Sequence, residues 1–115
     1  MKALLALALV AAVLAGCSGT TTGPVTPPKD ASGAYIIHML PSNLFTPKDA
    51  TVPVGANVTW VHDGGATHNV DDIGGTFVSG NIGPQGTYTH RFTKAGTFHY
   101  HCDFHAGMDG TLTVA

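Results

Sequence analysis

"GTYTHRFTKAGTFHYHC", Gly86 to Cys102, alternates twice around a turn. In the first half Tyr88, His90 and Phe92 share one face, with Thr87, Thr89, Arg91 and Thr93 on the other. In the second half Phe98, Tyr100 and Cys102 fall together, while Thr97, His99 and His101 point the opposite way. A period of two marks half-buried strands, because successive side chains leave a pleated backbone on opposite sides. The turn between them is "TKAG", whose glycine and short side chains suit a reversal of direction.

The same pattern extends in both directions. "NVTWVHD", Asn57 to Asp63, places Val58 and Trp60 on one face. "GTLTVA" ends the chain with Leu112 and Val114 inward and Thr111 and Thr113 outward. Earlier strands are expected within "AYIIHML" and in short pieces near Leu44–Phe45 and Thr51–Val54, with "VPVGAN", "HDGGAT", "DIGGT" and "NIGPQG" as loops. Sustained 3.6-residue periodicity is scarce. The spacing predicts an all-β, two-sheet sandwich of seven or eight strands with antiparallel neighbours, its last hairpin enclosing residues 99–110.

The N-terminus has a different character. "MKALLALALVAAVLAGCSG" opens with Lys2 and continues through an uncharged apolar run, too short to span a bilayer comfortably. It reads as a secretory signal over residues 1–16. "LAGC", Leu14 to Cys17, resembles a bacterial lipobox, which implies cleavage before Cys17 and lipidation of that residue. Residues 17–33, rich in Thr, Pro, Gly and Ser, read as a flexible tether, since they hold little apolar surface to offset their ordering. Residues 34–115 then form one small domain. The expectation is a monomeric extracytoplasmic head attached to the membrane through its lipid alone, in the periplasm or at the cell surface.

After removal of the signal, four basic residues stand against seven aspartates, a net −3 with histidine neutral. No basic patch exists for nucleic acid. With Cys17 taken by the anchor, Cys102 has no disulfide partner, and a lone thiol in an oxidising compartment calls for an occupant.

Its neighbours suggest one. "CDFHAGM" sets Cys102, His105 and Met108 at three-residue intervals, and seven residues extend at most about 23–25 Å, so a tight loop can bring all three to one point. Structural zinc prefers four Cys or His ligands and disfavours thioether. Two histidines and a cysteine with a weak axial methionine is the donor set of blue-copper centres. One more histidine is required. His99 and His101 lie on the strand face opposite Cys102, His90 sits mid-strand, and nothing places His38 near the loop. His68 and His62, flanking a polar turn, both remain open, with His68 ranked first because Asn69 beside it can hydrogen-bond across the site.

"FTPKDATVPVGANVTWVHDGGATHNV" followed by "GTYTHRFTKAGTFHYHCDFHAGMDGTLTV" resembles the cupredoxins, the plastocyanin/azurin family of small blue copper proteins, over Phe45 to Val114. The resemblance implies a Greek-key sandwich with one copper ion at one end. Its imidazole followed by asparagine matches His68–Asn69, which selects His68 over His62, and its other ligands match Cys102, His105 and Met108. The loop is as short as that of amicyanins. Those have proline two positions after the cysteine, whereas this chain has Phe104, whose N–H is free to donate to the thiolate. Phe104 and Asn69 are thus the expected supports of the ligand set.

The function implied is transfer of single electrons between extracytoplasmic redox partners, such as a cytochrome or an oxidoreductase. Gly64, Gly65, Ala66, Ala106 and Gly107 would form a small patch around the exposed edge of His105. Asp63, Asp71, Asp72 and Asp103 would form an acidic rim that steers a basic partner. The alternative is copper capture, buffering or delivery. His62, His99 and His101 leave room for an accessory metal site. An enzyme is not expected, because a filled coordination sphere leaves no position for substrate.

Overall fold

A computed structural model describes residues 23–115, so the expected signal and Cys17 lie outside the described residues. Eight strands follow in chain order: β1 (Tyr35–Met39), β2 (Phe45–Thr46), β3 (Asp49–Val52), β4 (Asn57–His62), β5 (Asp71–Asp72), β6 (Thr87–Arg91), β7 (Gly96–His101) and β8 (Asp109–Val114). Helix is absent among the described residues. One sheet has the order β2-β1-β4-β6 and the other β3-β8-β7-β5. The expected all-β sandwich of two sheets is what forms.

The alternation carries through to burial. Tyr35, Ile37 and Met39 of β1, Val58 and Trp60 of β4, and Leu112 and Val114 of β8 all point inward. Trp60 sits at the centre, its ring 5.4–6.4 Å from those of Phe77, Tyr88, Phe92 and Tyr100. Phe77, Val70 and Ile82 enter this core from the long β5–β6 connection and its approach, where no alternating run announces them.

Two features differ from the sequence expectation. Neighbours are not all antiparallel: β1 pairs with β4, and β3 with β8, in parallel. Turn residues report only where the chain reverses; here it also crosses between sheets, and of the consecutive strands only β1–β2 and β7–β8 pair directly. The segment read as a tether also reaches the sandwich before residue 34. Val25 donates to Asp49 O and accepts from the Thr51 N–H, both at 3.0 Å, and Pro28 O accepts from the Ile36 N–H at 2.8 Å. Pro27 is buried, and the Lys29 ammonium lies 4.8 Å from the Tyr35 ring centroid. Pro24, Pro27 and Pro28 have φ fixed in advance, which lowers the ordering entropy that composition alone counts against such a segment.

Tyr100 is fully buried two positions before Cys102, packed edge-on against Phe45 at 4.8 Å and Trp60 at 5.4 Å. It lies over Gly110 on the paired strand β8; a Cβ there would stand 2.4 Å from its Cζ and its hydroxyl oxygen. Gly110→Ala is therefore expected to lower stability by about 1–3 kcal/mol through overpacking, read as a lower urea midpoint with unchanged slope.

Candidate metal centre

The end of β4, the His68 loop and the β7–β8 loop meet at one pole of the sandwich. His68 is held there by a two-way backbone bridge: its N–H donates to Ile82 O at 3.1 Å, and Ile82 N–H returns to His68 O at 2.7 Å. Cys102 follows directly on β7. The β7–β8 loop closes on itself, with Cys102 N–H donating to Met108 O at 2.9 Å and Met108 N–H to His105 O at 3.2 Å.

Three of the expected ligands converge. His68 Nδ1 and His105 Nδ1 are 3.2 Å apart, and Cys102 Sγ lies 3.8 Å from the first and 3.6 Å from the second. Donors about 2.0–2.1 Å (imidazole nitrogen) and about 2.3 Å (thiolate) from a shared centre stand roughly 3.5–3.8 Å apart when that centre lies in their plane, and closer when it lies slightly out of it. The triangle thus fits a metal ion, and so does the chemistry, since two imidazole nitrogens and a cysteine sulfur turned toward one point are a donor set that soft transition cations take. Met108 is buried on the same loop at 1% exposure. Burial, and after it the neighbouring His62 and His105 rings, hold the His68 imidazole below its usual pKa, which keeps its lone pair available at neutral pH.

His62 is not a member of the triangle. It is buried, with its ring stacked 4.6 Å from that of His68; its Nε2–H donates to Ala66 O, and its Nδ1 accepts the Gly64 N–H at 3.0 Å. Its place was partly legible, since it continues the inward face of Val58 and Trp60. His99 faces Thr111 at 3.2 Å, and His90 packs on the Phe77 and Phe92 rings. His38 pairs with Asp63 at 2.5 Å.

Asn69 bridges the two ligand loops in both directions. Its Nδ2 donates to Asp103 Oδ2 at 2.6 Å, and its Oδ1 accepts the Asp103 N–H at 2.8 Å. The Asn69 amide, and after it the His101 ring, hold the Asp103 carboxyl below the usual carboxylate range. Asn69→Ala leaves the Asp103 N–H without its acceptor and is expected to lower the stability of the metal-free chain by about 1–3 kcal/mol, measured by urea unfolding. Phe104 behaves differently from expectation. Half its surface is exposed, and among the described residues its N–H makes no hydrogen bond to Cys102 Sγ.

Gly65, Ala66, Ala106 and Gly107 are exposed around the half-buried His105, while Gly64 is half-buried. A Cβ on Gly64 would lie 3.0 Å from Pro41 Cα, which places the β1–β2 turn, with exposed Leu44, beside this patch.

The family model described as copper binding proteins, plastocyanin/azurin family, matches residues 42–115. This chain belongs to that family. Amicyanin of Paracoccus denitrificans is 32% identical to it over 121 aligned positions, covering 92% of each chain. Among solved structures, a reduced Cu(I) form of an amicyanin variant superposes with a TM-score of 0.68 at 28% identity, covering 81% of this chain and 92% of that one. A copper-containing nitrite reductase from Thermus scotoductus also matches, with a TM-score of 0.65 and 27% identity over 80% of this chain, but only 27% of the enzyme is covered. The cupredoxin takes one copper ion, and its function is that of a blue copper electron-transfer protein.

Proposed function

We propose that the chain carries single electrons between extracytoplasmic redox proteins through one copper ion, which Cys102, His68 and His105 would hold with Met108 as a fourth, weaker ligand. The convergence of His68 Nδ1, His105 Nδ1 and Cys102 Sγ carries this reading. Bound copper supplies the reversible one-electron change between Cu(I) and Cu(II). The protein's part is to keep the donors where they are in both states. His68 is fixed by its two bonds to Ile82, Cys102 by its N–H bond to Met108 O just past the β7–β8 ladder, and the two loops by Asn69 and Asp103. Rigid donors make the rearrangement accompanying electron transfer small.

His105 is the electron port in this reading. It is only half-buried, whereas His68, Cys102 and Met108 are closed to solvent. The small residues around it, with Phe104 and Leu44 as larger apolar contacts, let a partner approach closely. Asp63, Asp71 and Asp103 leave carboxylates partly exposed near this pole, which favours a basic partner. The "LAGC" sequence supports a lipid anchor at Cys17, which an intact-mass measurement of the mature chain tests directly.

The test of function is spectroscopic and electrochemical. The copper-loaded protein should absorb intensely in the visible when oxidised, bleach on reduction, and cycle repeatedly without losing metal. A colourless copper complex would sink the assignment of these ligands. Ready surrender of Cu(I) to an acceptor protein would favour copper delivery instead.

A further inference from the structure

We propose that Asp71, His101 and Asp103 form a second metal site, taking a divalent transition cation of the zinc type on the outer face of the β5–β7 pair. The cluster shares no ligand with the Cys102 triangle. Asp71 and His101 are directly opposed in the antiparallel β5–β7 register, so their side chains rise from the same face of the sheet. The reverse face of this pair carries Tyr100 and Asp72, both buried. Asp103, two residues beyond His101, folds back over it.

The donor atoms are already gathered. His101 Nε2 lies 2.7 Å from Asp103 Oδ1 and 4.0 Å from Asp71 Oδ2, and one ligand atom from each residue fits within 4.8 Å of the others. Asp103 is oriented from behind, because its second oxygen and its backbone N–H are both engaged by Asn69, leaving Oδ1 turned toward the cluster. Asp71 is pinned on two sides, by β7 and by a bridge to Val78. Two of three ligands therefore rise from strand backbones and the third is held by a neighbouring side chain, the support metal ligands commonly require. Little ordering remains for a cation to impose.

The donor set selects the ion. Two carboxylates with a neutral imidazole present −2, matching a dication. The imidazole argues against calcium and magnesium, which prefer oxygen throughout, and suits zinc and its neighbours. All three side chains are partly exposed, at 31%, 37% and 48% for Asp71, His101 and Asp103, so water completes the coordination.

Calorimetric titration of the copper-loaded full chain with Zn²⁺ tests the site, copper keeping zinc out of the Cys102 triangle. The expected result is saturable uptake of one zinc ion per chain, weakened at least about tenfold in His101→Gln and in Asp71→Asn and unchanged in His99→Gln. Zinc should also move the ring resonances of His101 and leave those of His99 in place. Near-UV circular dichroism confirms that each variant is folded; all three substitutions lie on partly or fully exposed side chains. Absence of saturable binding in the native chain, binding that survives both ligand substitutions, or equal loss in His99→Gln would each overturn the proposal. These outcomes are separable from failure of the copper reading, which the visible spectrum of the same sample reports.

Discussion

Cys102→Ser is expected to abolish the intense visible absorption of the copper-loaded chain. The substitution changes one atom of the triangle, replacing the soft sulfur donor by a hydroxyl oxygen, a far poorer partner for copper. His68 and His105 still face each other at 3.2 Å, so some copper binding survives, but the soft, covalent metal–sulfur bond does not. The expected product is a nearly colourless protein with weakened copper affinity. Its fold should persist. The side chain is 3% exposed and the two residues are similar in volume, so the metal-free variant should lose only about 1–3 kcal/mol, from a hydroxyl buried without assured partners. Absorption titration with copper beside urea unfolding of the metal-free form separates the two effects. A variant that kept the full blue band would remove Cys102 from the metal.

Trp60→Ala should have the largest effect on stability, about 3–5 kcal/mol, because it empties the centre of the core. The indole has no exposed surface and touches aromatic rings contributed by both sheets and the β5–β6 connection. A domain of this kind is stable by only about 5–15 kcal/mol, so the variant lies near its threshold for folding. Trp60→Phe, which keeps a ring in place, should cost markedly less. Urea unfolding of both metal-free variants checks the ranking; equal losses would mean that the cavity left at Trp60 collapses without penalty. Where the variants do fold, copper binding should survive, since neither His68 nor the β7–β8 loop contacts the indole through the aromatic pairs that hold it.

Local patterns in the sequence carried most of the fold. The inward faces of β1, β4 and β8 follow directly from alternation, and the sequence pattern through Tyr100 and Cys102 placed the thiol inside. Three of the four expected ligands were visible because they lie within one short loop. His68 was not singled out by periodicity: 34 positions separate it from Cys102. Residue chemistry alone ranked it first but left His62 open, and the family pattern decided between them. The parallel pairings were illegible for the same reason, since β1 meets β4 and β3 meets β8 through crossings between sheets that leave no mark in a turn. Phe77 joins the core from a loop whose composition reads as surface. The bonds of Val25 and Pro28 are made by backbone atoms, which composition does not see. The expected amide donation from Phe104 followed from the mere presence of an N–H, and among the described residues no such bond to Cys102 Sγ forms.

The uneven distribution of ligands along the chain has a consequence for unfolding. Cys102, His105 and Met108 lie within seven consecutive residues, while His68 must be brought in from 34 positions before Cys102, across β5, β6 and β7. When the sandwich comes apart, the short segment can still chelate, because closing so small a ring costs little chain entropy. Only the bond to His68 has to be surrendered. A ligand that also binds the denatured chain stabilises the native state by less than its full affinity. Copper should therefore raise the melting temperature less than its tight binding suggests, and a denatured chain should refold with its metal already aboard.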